Sequence, residues 1–270
     1  MTNTIQSPIV ISLLAAMVVS GVELEETLNH ALSILCLLRS YLSEPRKIMP
    51  MYDLIGKTLD KLLPWNAHDI CSDKLGVSVT KLWPFKNTLV SKFRSRSDLI
   101  DAACAGCFIP MWSGSLVGPR FRGKIHLDGA YTNNKPKFDP EPGVVQVTVC
   151  PFAGDIDVSP KDKHNWGEMC VFGTRYIFNW NNFVRSTQAM IPMRRSTYKQ
   201  YLIQGHSDMK QYILDNDFIK CQSCYPVKEH STSCRNTAIG MACMTCLLLL
   251  ERVDSLKLPE NLIRLFDEED

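Results

Sequence analysis

The sequence predicts an α/β fold, on three observations. Residues 23–63 place apolar side chains at helical spacing, residues 75–93 alternate β-branched and polar residues in two short runs, and a small-residue helix over 98–108 separates those runs from a further strand at 124–127. Helices and strands that alternate along one chain pack as layers around a shared core. At 270 residues and 45% hydrophobic content the chain can bury such a core, as one domain with an appendage or as two small ones. A net charge of +2 gives no bulk pull toward nucleic acid or an anionic membrane, so an interfacial role has to come from local patches.

Taken in order, residues 8–22 carry no charge and read as an apolar helix. Such a stretch is short for a membrane span of ~20 residues, and no Lys or Arg precedes it to make a signal peptide, the first being Arg39. Two readings stay open, a helix buried on all sides between sheet and neighbours and an anchor or signal segment. Glu23, Glu25 and Glu26 open a second helix that carries Leu28, Leu32, Ile34 and Leu38, and Pro45 and Pro50 end it. Leu54, Ile55, Leu59 and Leu62 give an amphipathic third helix, stopped by Pro64. Strands follow at 75–82 and 87–93, a helix at 98–108, and strands at 124–127 and 144–150.

After the strand at 124–127 stands Asp128-Gly129-Ala130. An Asp-Gly pair between apolar residues is first of all a turn signal, because glycine takes unusual backbone angles at little cost. Its surroundings point further. Asp98-Leu99-Ile100-Asp101-Ala102-Ala103-Cys104-Ala105-Gly106-Cys107-Phe108-Ile109-Pro110, a Gly/Pro-rich loop, the strand and Asp128 together resemble the patatin-like phospholipase family. Leu62-Leu63-Pro64-Trp65-Asn66-Ala67-His68, Leu75-Gly76-Val77-Ser78-Val79-Thr80, residues 147–162, Asn181-Asn182-Phe183-Val184-Arg185 and Ala189-Met190-Ile191-Pro192 narrow the resemblance to the adipose triglyceride lipase and adiponutrin subgroup.

The resemblance implies a three-layer αβα sandwich and a Ser/Asp dyad for acyl-ester hydrolysis, with Asp128 as the base, Gly129 and Ala130 shaping its turn, and no cofactor. The departure lies at the amino terminus. Val18-Val19-Ser20-Gly21-Val22-Glu23-Leu24 resembles the end of the helix after the family's nucleophile elbow, and counting back sets Ser7-Pro8-Ile9-Val10-Ile11 over Gly-x-Ser-x-Gly. Ile9 then fills the serine slot. Isoleucine has no hydroxyl, and a β-branched residue resists the sharp elbow; Ser7 and Ser12 lack flanking glycines. By the same count the Gly-rich oxyanion loop and the first strand fall before Met1. The expected fold is therefore a patatin-like sandwich lacking its first strand and nucleophile elbow, with a helical carboxy-terminal extension. Its expected parts are a partial patatin-like domain over 1–140, a lipase-subgroup extension over 141–215 and a Cys-rich segment over 216–270.

Eleven cysteines, an odd number with many in apolar settings, fit a reducing, cytoplasmic-facing environment. Cys221-x-x-Cys224 and Cys243-x-x-Cys246 have the spacing of a structural zinc site, while Leu247 to Leu250 directly after them read equally as a buried or lipid-facing helix. Trp166, Phe172, Tyr176, Phe178, Trp180 and Phe183 crowd together with Arg175, Arg185, Arg194 and Arg195 among and after them. Amphipathic rings beside cations suit a lipid interface, but the expected arrangement is a strand and helices that pack on the αβ core with their aromatic faces inward. The final Asp267-Glu268-Glu269-Asp270 reads as a solvated acidic tail.

Three functions follow as expectations. The chain is part of a triacylglycerol lipase or phospholipase whose activity resides in a longer form. Or it is a non-catalytic relative that binds lipid droplets or membrane surfaces and regulates lipases. Or it is a zinc-stapled interaction module on a decayed lipase scaffold. The implied partners are neutral lipid or phospholipid, a droplet or membrane surface and a lipase co-regulator, without nucleic acid.

Overall fold

The computed structural model describes residues 11–42, 51–138, 146–216 and 259–267. Four helices precede the sheet: α1 (Ile11–Val19), α2 (Leu24–Leu42), α3 (Met51–Leu62) and α4 (Ala67–Cys71). Next come β1 (Val77–Lys81), β2 (Lys86–Val90), α5 (Arg96–Gly106), β3 (Arg120–Phe121) and β4 (Lys124–Asp128). The four strands form one antiparallel sheet in the order β2-β1-β4-β3. A mixed helix and sheet fold is thus as the sequence predicts.

The uncharged amino-terminal stretch includes the helix α1, which buries Ala15, Ala16 and Met17 while Val18 stays exposed. Ala15, Ala16 and Met17 sit in the main core with Leu38 of α2, Ile55 and Leu59 of α3, Leu99, Ala102 and Ala103 of α5, and Val77 and Val79 of β1. No described helix is long and apolar enough to cross a membrane. Alternation explains the sheet's contribution: Val77 and Val79 point into this core while Ser78 and Thr80 turn to the other face. Ser95 caps α5 by accepting from the Asp98 N–H, and the salt bridge from Arg122 to Asp98 ties that first turn to the β3–β4 connection. Arg122 and Gly123 there both take positive φ, as a two-residue hairpin turn demands.

The strand expected at 144–150 does not form among its described residues. Thr148 and Cys150 instead bond a neighbouring loop: Val158 N–H donates to Thr148 O at 2.9 Å, Cys150 N–H donates to Val158 O at 3.0 Å, and Asp157 accepts from the Thr148 N–H. The polar side chains of Thr148 and Asp157 offer the backbone a local alternative to the sheet. Beyond this loop, β5 (Glu168–Val171) and β6 (Thr174–Ile177) make a separate hairpin, followed by α6 (Trp180–Met190) and α7 (Arg195–Asp215).

The hairpin and α6 are pinned by a buried polar knot. Asn182 exchanges hydrogen bonds with both backbone groups of Ala153, and Arg185 forms a paired contact with Asp162 at 2.7 and 2.9 Å. The aromatic cluster corrects the inward-facing reading. Tyr176 is buried, but Trp166, Phe172, Phe178, Trp180 and Phe183 are exposed. A short α8 (Glu260–Arg264) returns to α2, buries Leu262 and Phe266, and holds Arg195 through the carbonyl of Leu265. Cys221, Cys224, Cys243 and Cys246, the whole zinc expectation, lie outside the described residues, as do Ser7, Ile9 and most of the acidic tail.

Candidate active site

Asp128 is the last residue of β4 and lies opposite Val79 of β1. Its N–H donates to Phe108 O at 2.9 Å, so the end of α5 sets where the strand stops. One turn of 3-10 helix, Gly129–Tyr131, follows directly. The Asp128 carboxylate caps that turn, Oδ1 accepting from the Ala130 N–H at 2.8 Å. Gly129 is required here by close approach, because a Cβ at that position would overlap the carbonyl and hydroxyl oxygens of Ser78.

Asp128 is 5% exposed. Burial pushes its carboxyl up from 3.8 to about 6, partly opposed by the Ala130 N–H. No described cation acts on it, and no described hydroxyl donates to it. A carboxylate so desolvated holds its proton to higher pH than an exposed one. Burial also raises the phenol of Tyr131, and the Asp128 charge adds to that shift.

The Asp128 turn is held by side chains that the sequence reading passed over. Thr80 Oγ1 donates to Asp128 O at 2.8 Å and lies 2.7 Å from Thr132 Oγ1. Asn87 Nδ2 reaches Ser78 Oγ at 2.9 Å, Thr132 Oγ1 at 3.1 Å and Gly129 O at 3.3 Å. The signal was present as polar residues alternating with Val77 and Val79, but only strand pairing says that they meet the Asp128 turn. His126, two residues before Asp128 on β4, makes its contacts elsewhere: its Nδ1 bonds Lys124 O, its ring meets the edge of Phe121, and burial lowers its pKa.

A second missed neighbour is Phe172, at the tip of the β5–β6 hairpin. It takes positive φ, strained for so bulky a residue, and sets its ring 5.7 Å from that of Tyr131. The hairpin tip therefore rests on the turn that carries Asp128. Nearby, Trp112 Nε1 donates to Met190 O at 2.8 Å, tying the loop after α5 to the end of α6.

The predicted residues Asp128, Gly129 and Ala130 are thus adjacent in one turn, with the carboxylate buried. Among the described residues no group of three or more side chains could hold a metal ion. Cys71, Cys104, Cys107 and Cys150 are buried, and burial with nearby Asp101 and Asp53 pushes Cys104 up to about 12.

Comparison with known proteins gives relatives over most of the chain. Human 1-acylglycerol-3-phosphate O-acyltransferase PNPLA3 is 32% identical over 203 residues, 73% of this chain and 40% of that protein. Human patatin-like phospholipase domain-containing protein 2 is 28% identical over 194 residues, 70% of this chain and 38% of that protein. The chain belongs to the patatin-like phospholipase family. Human omega-hydroxyceramide transacylase is 27% identical over 205 residues, 75% of this chain and 38% of that protein. The chain thus spans about two fifths of the length of these curated patatin-like relatives. No family model matches the chain, and no solved structure matches it.

Proposed function

We propose that the chain is a patatin-like lipid acylhydrolase relative, of the triacylglycerol lipase and phospholipase type, that keeps the dyad aspartate as Asp128 and lacks the dyad serine. The observation that carries this reading is the buried Asp128 carboxylate at a strand end, on an Asp-Gly-Ala turn, with its pKa lifted to about 6. A dyad of this kind works by transfer of the serine hydroxyl proton to the carboxylate as the oxygen attacks an acyl carbonyl, and a desolvated base near neutrality suits that transfer. With Ile9 in the serine slot the base has no hydroxyl to activate, so the chain by itself is inactive.

The names of two human relatives, an acyltransferase and a transacylase, support acyl-group chemistry on lipids as the shared class. The fold proposed is the family's three-layer sandwich without a nucleophile elbow at Ile9, with a patatin-like domain over 1–140, an extension over 141–215 and the Cys-rich segment after it.

A second reading, a non-catalytic protein of lipid-droplet or membrane surfaces that regulates lipases, is favoured by the exposed Trp166, Phe178, Trp180 and Phe183. The deciding assay is hydrolysis of emulsified triacylglycerol by the purified chain, beside Asp128→Asn and with a serine-trapping fluorophosphonate. The expected result is neither turnover nor label. Turnover and labelling that vanish in Asp128→Asn would show an active nucleophile and overturn the proposed inactivity.

A further inference from the structure

The connection between β1 and β2 is Leu82-Trp83-Pro84-Phe85, and its large apolar side chains point into solvent: Leu82 is 43%, Trp83 85% and Phe85 58% exposed. Each would gain by leaving water, and none packs into either hydrophobic core. The strands that carry this tip are cationic. Lys81 lies opposite both Lys86 on β2 and His126 on β4, and Lys124 is two residues from His126 along β4.

Directly opposed residues share a face of the sheet, as do residues two apart on a strand, so Lys81, Lys86 and Lys124 crowd one face. Like charges so placed repel each other, and no described carboxylate pairs with any of them. The field of Lys81 and Lys124 is also felt at His126, where both help to lower the ring's pKa after burial. An anion brought to this face relieves the repulsion while the tip buries its rings.

We propose that the β1–β2 tip is an anchor for anionic phospholipid surfaces, with Trp83, Phe85 and Leu82 seated at the headgroup and acyl boundary and Lys81, Lys86 and Lys124 on the headgroup phosphates. Aromatic rings favour that depth, and lysine stems reach from it to the charged layer. A nucleic acid fits less well, since the tip offers a compact apolar wedge including an aliphatic Leu82 and the net charge of +2 supplies no wider cationic track. The anchor rests on the lipid-acting reading for its choice of partner. It lies past Lys81 at the end of β1 and β4 opposite to Asp128, so the two are separable.

The test is flotation of the full 270-residue chain with vesicles of phosphatidylcholine alone and of phosphatidylcholine with 30% phosphatidylserine, at low and high salt. The chain is expected to prefer the anionic vesicles and to lose that preference in high salt. A triple Lys81→Gln, Lys86→Gln, Lys124→Gln variant should bind ~100-fold more weakly, about fivefold per lysine. Trp83→Ser with Phe85→Ser should bind at least about tenfold more weakly. All these side chains lie at the surface or strand edge, and circular dichroism confirms that each variant is folded.

Equal binding of both vesicle types, or wild-type binding by both variants, overturns the anchor, as does tight binding of a single-stranded oligonucleotide that the same variants abolish. Asp128→Asn is expected to bind vesicles as wild type does. The triacylglycerol assay and a neutral-lipid emulsion probe the lipid-acting reading separately, so an emulsion-binding chain whose tip variants behave as wild type removes the anchor and leaves that reading standing.

Discussion

Replacing Asp128 with Asn should stabilise the fold, by an amount that depends on pH. Asn keeps the shape and an oxygen to accept from the Ala130 N–H, and it removes a charge that the fold holds out of water without a cation. The folded carboxyl titrates at about 6 and the unfolded one at 3.8, so the folded state binds the extra proton between those values. Stability from this group is therefore greatest in acid and falls as pH rises through that window. Integrating the difference gives a penalty of ~3 kcal/mol at pH 7.5 and ~1 kcal/mol at pH 4.5. Urea unfolding of both proteins at the two pH values measures it directly. Asp128→Asn is expected to be more stable at pH 7.5, with its advantage shrinking by ~2 kcal/mol at pH 4.5. An advantage that is absent, or that does not change with pH, would refute the claim that Asp128 is a desolvated, unpaired carboxylate.

Other perturbations test the surroundings of that turn and the pinned hairpin. Gly129→Ala places a methyl on Ser78 and is expected to cost about 3 kcal/mol or to abolish folding, read by thermal unfolding. Thr80→Val keeps the shape but removes the hydroxyl donor to Asp128 O, while Thr132 Oγ1 keeps Asn87, a loss of about 1–3 kcal/mol in denaturant titration. Arg185→Ala leaves the buried Asp162 carboxylate, held down to about 2 chiefly by the guanidinium, with only the Asn179 and Asn181 amides, and should cost about 3 kcal/mol at pH 7. That pair stabilises above the unfolded carboxylate range and loses its effect as pH falls from ~4 toward 2, so the deficit of the variant should fade over the same interval; a deficit constant in pH would show that Arg185 acts by packing alone.

Much of the fold was legible because the signals were local. The helical spacing of Leu54, Ile55, Leu59 and Leu62 and the stop at Pro64 anticipate α3, and the alternation of Val77 and Val79 with Ser78 and Thr80 anticipates β1. The strand expected at 144–150 was misread because β-branched content looks alike whether the ladder partner is a sheet or a loop, and Asp157 settles that choice through Thr148. The aromatic segment was ambiguous for a similar reason: composition says that rings are present, and only packing says that Tyr176 turns inward while Trp166 and Trp180 do not.

By itself the sequence determined most of the element types, the Asp-Gly-Ala turn and the resemblance that made Asp128 the residue to watch, since each depends on neighbours a few positions apart. Tertiary structure decided what sequence spacing cannot reach. It put Thr80 and Asn87 under the Asp128 turn from strands some 40 to 50 residues away, and laid Phe172 against Tyr131. It also desolvated the carboxylate and brought Lys81 opposite Lys86 and His126 next to the exposed Trp83 tip. A pKa and a surface patch both depend on distances between groups remote in the chain, and folding alone brings those groups together.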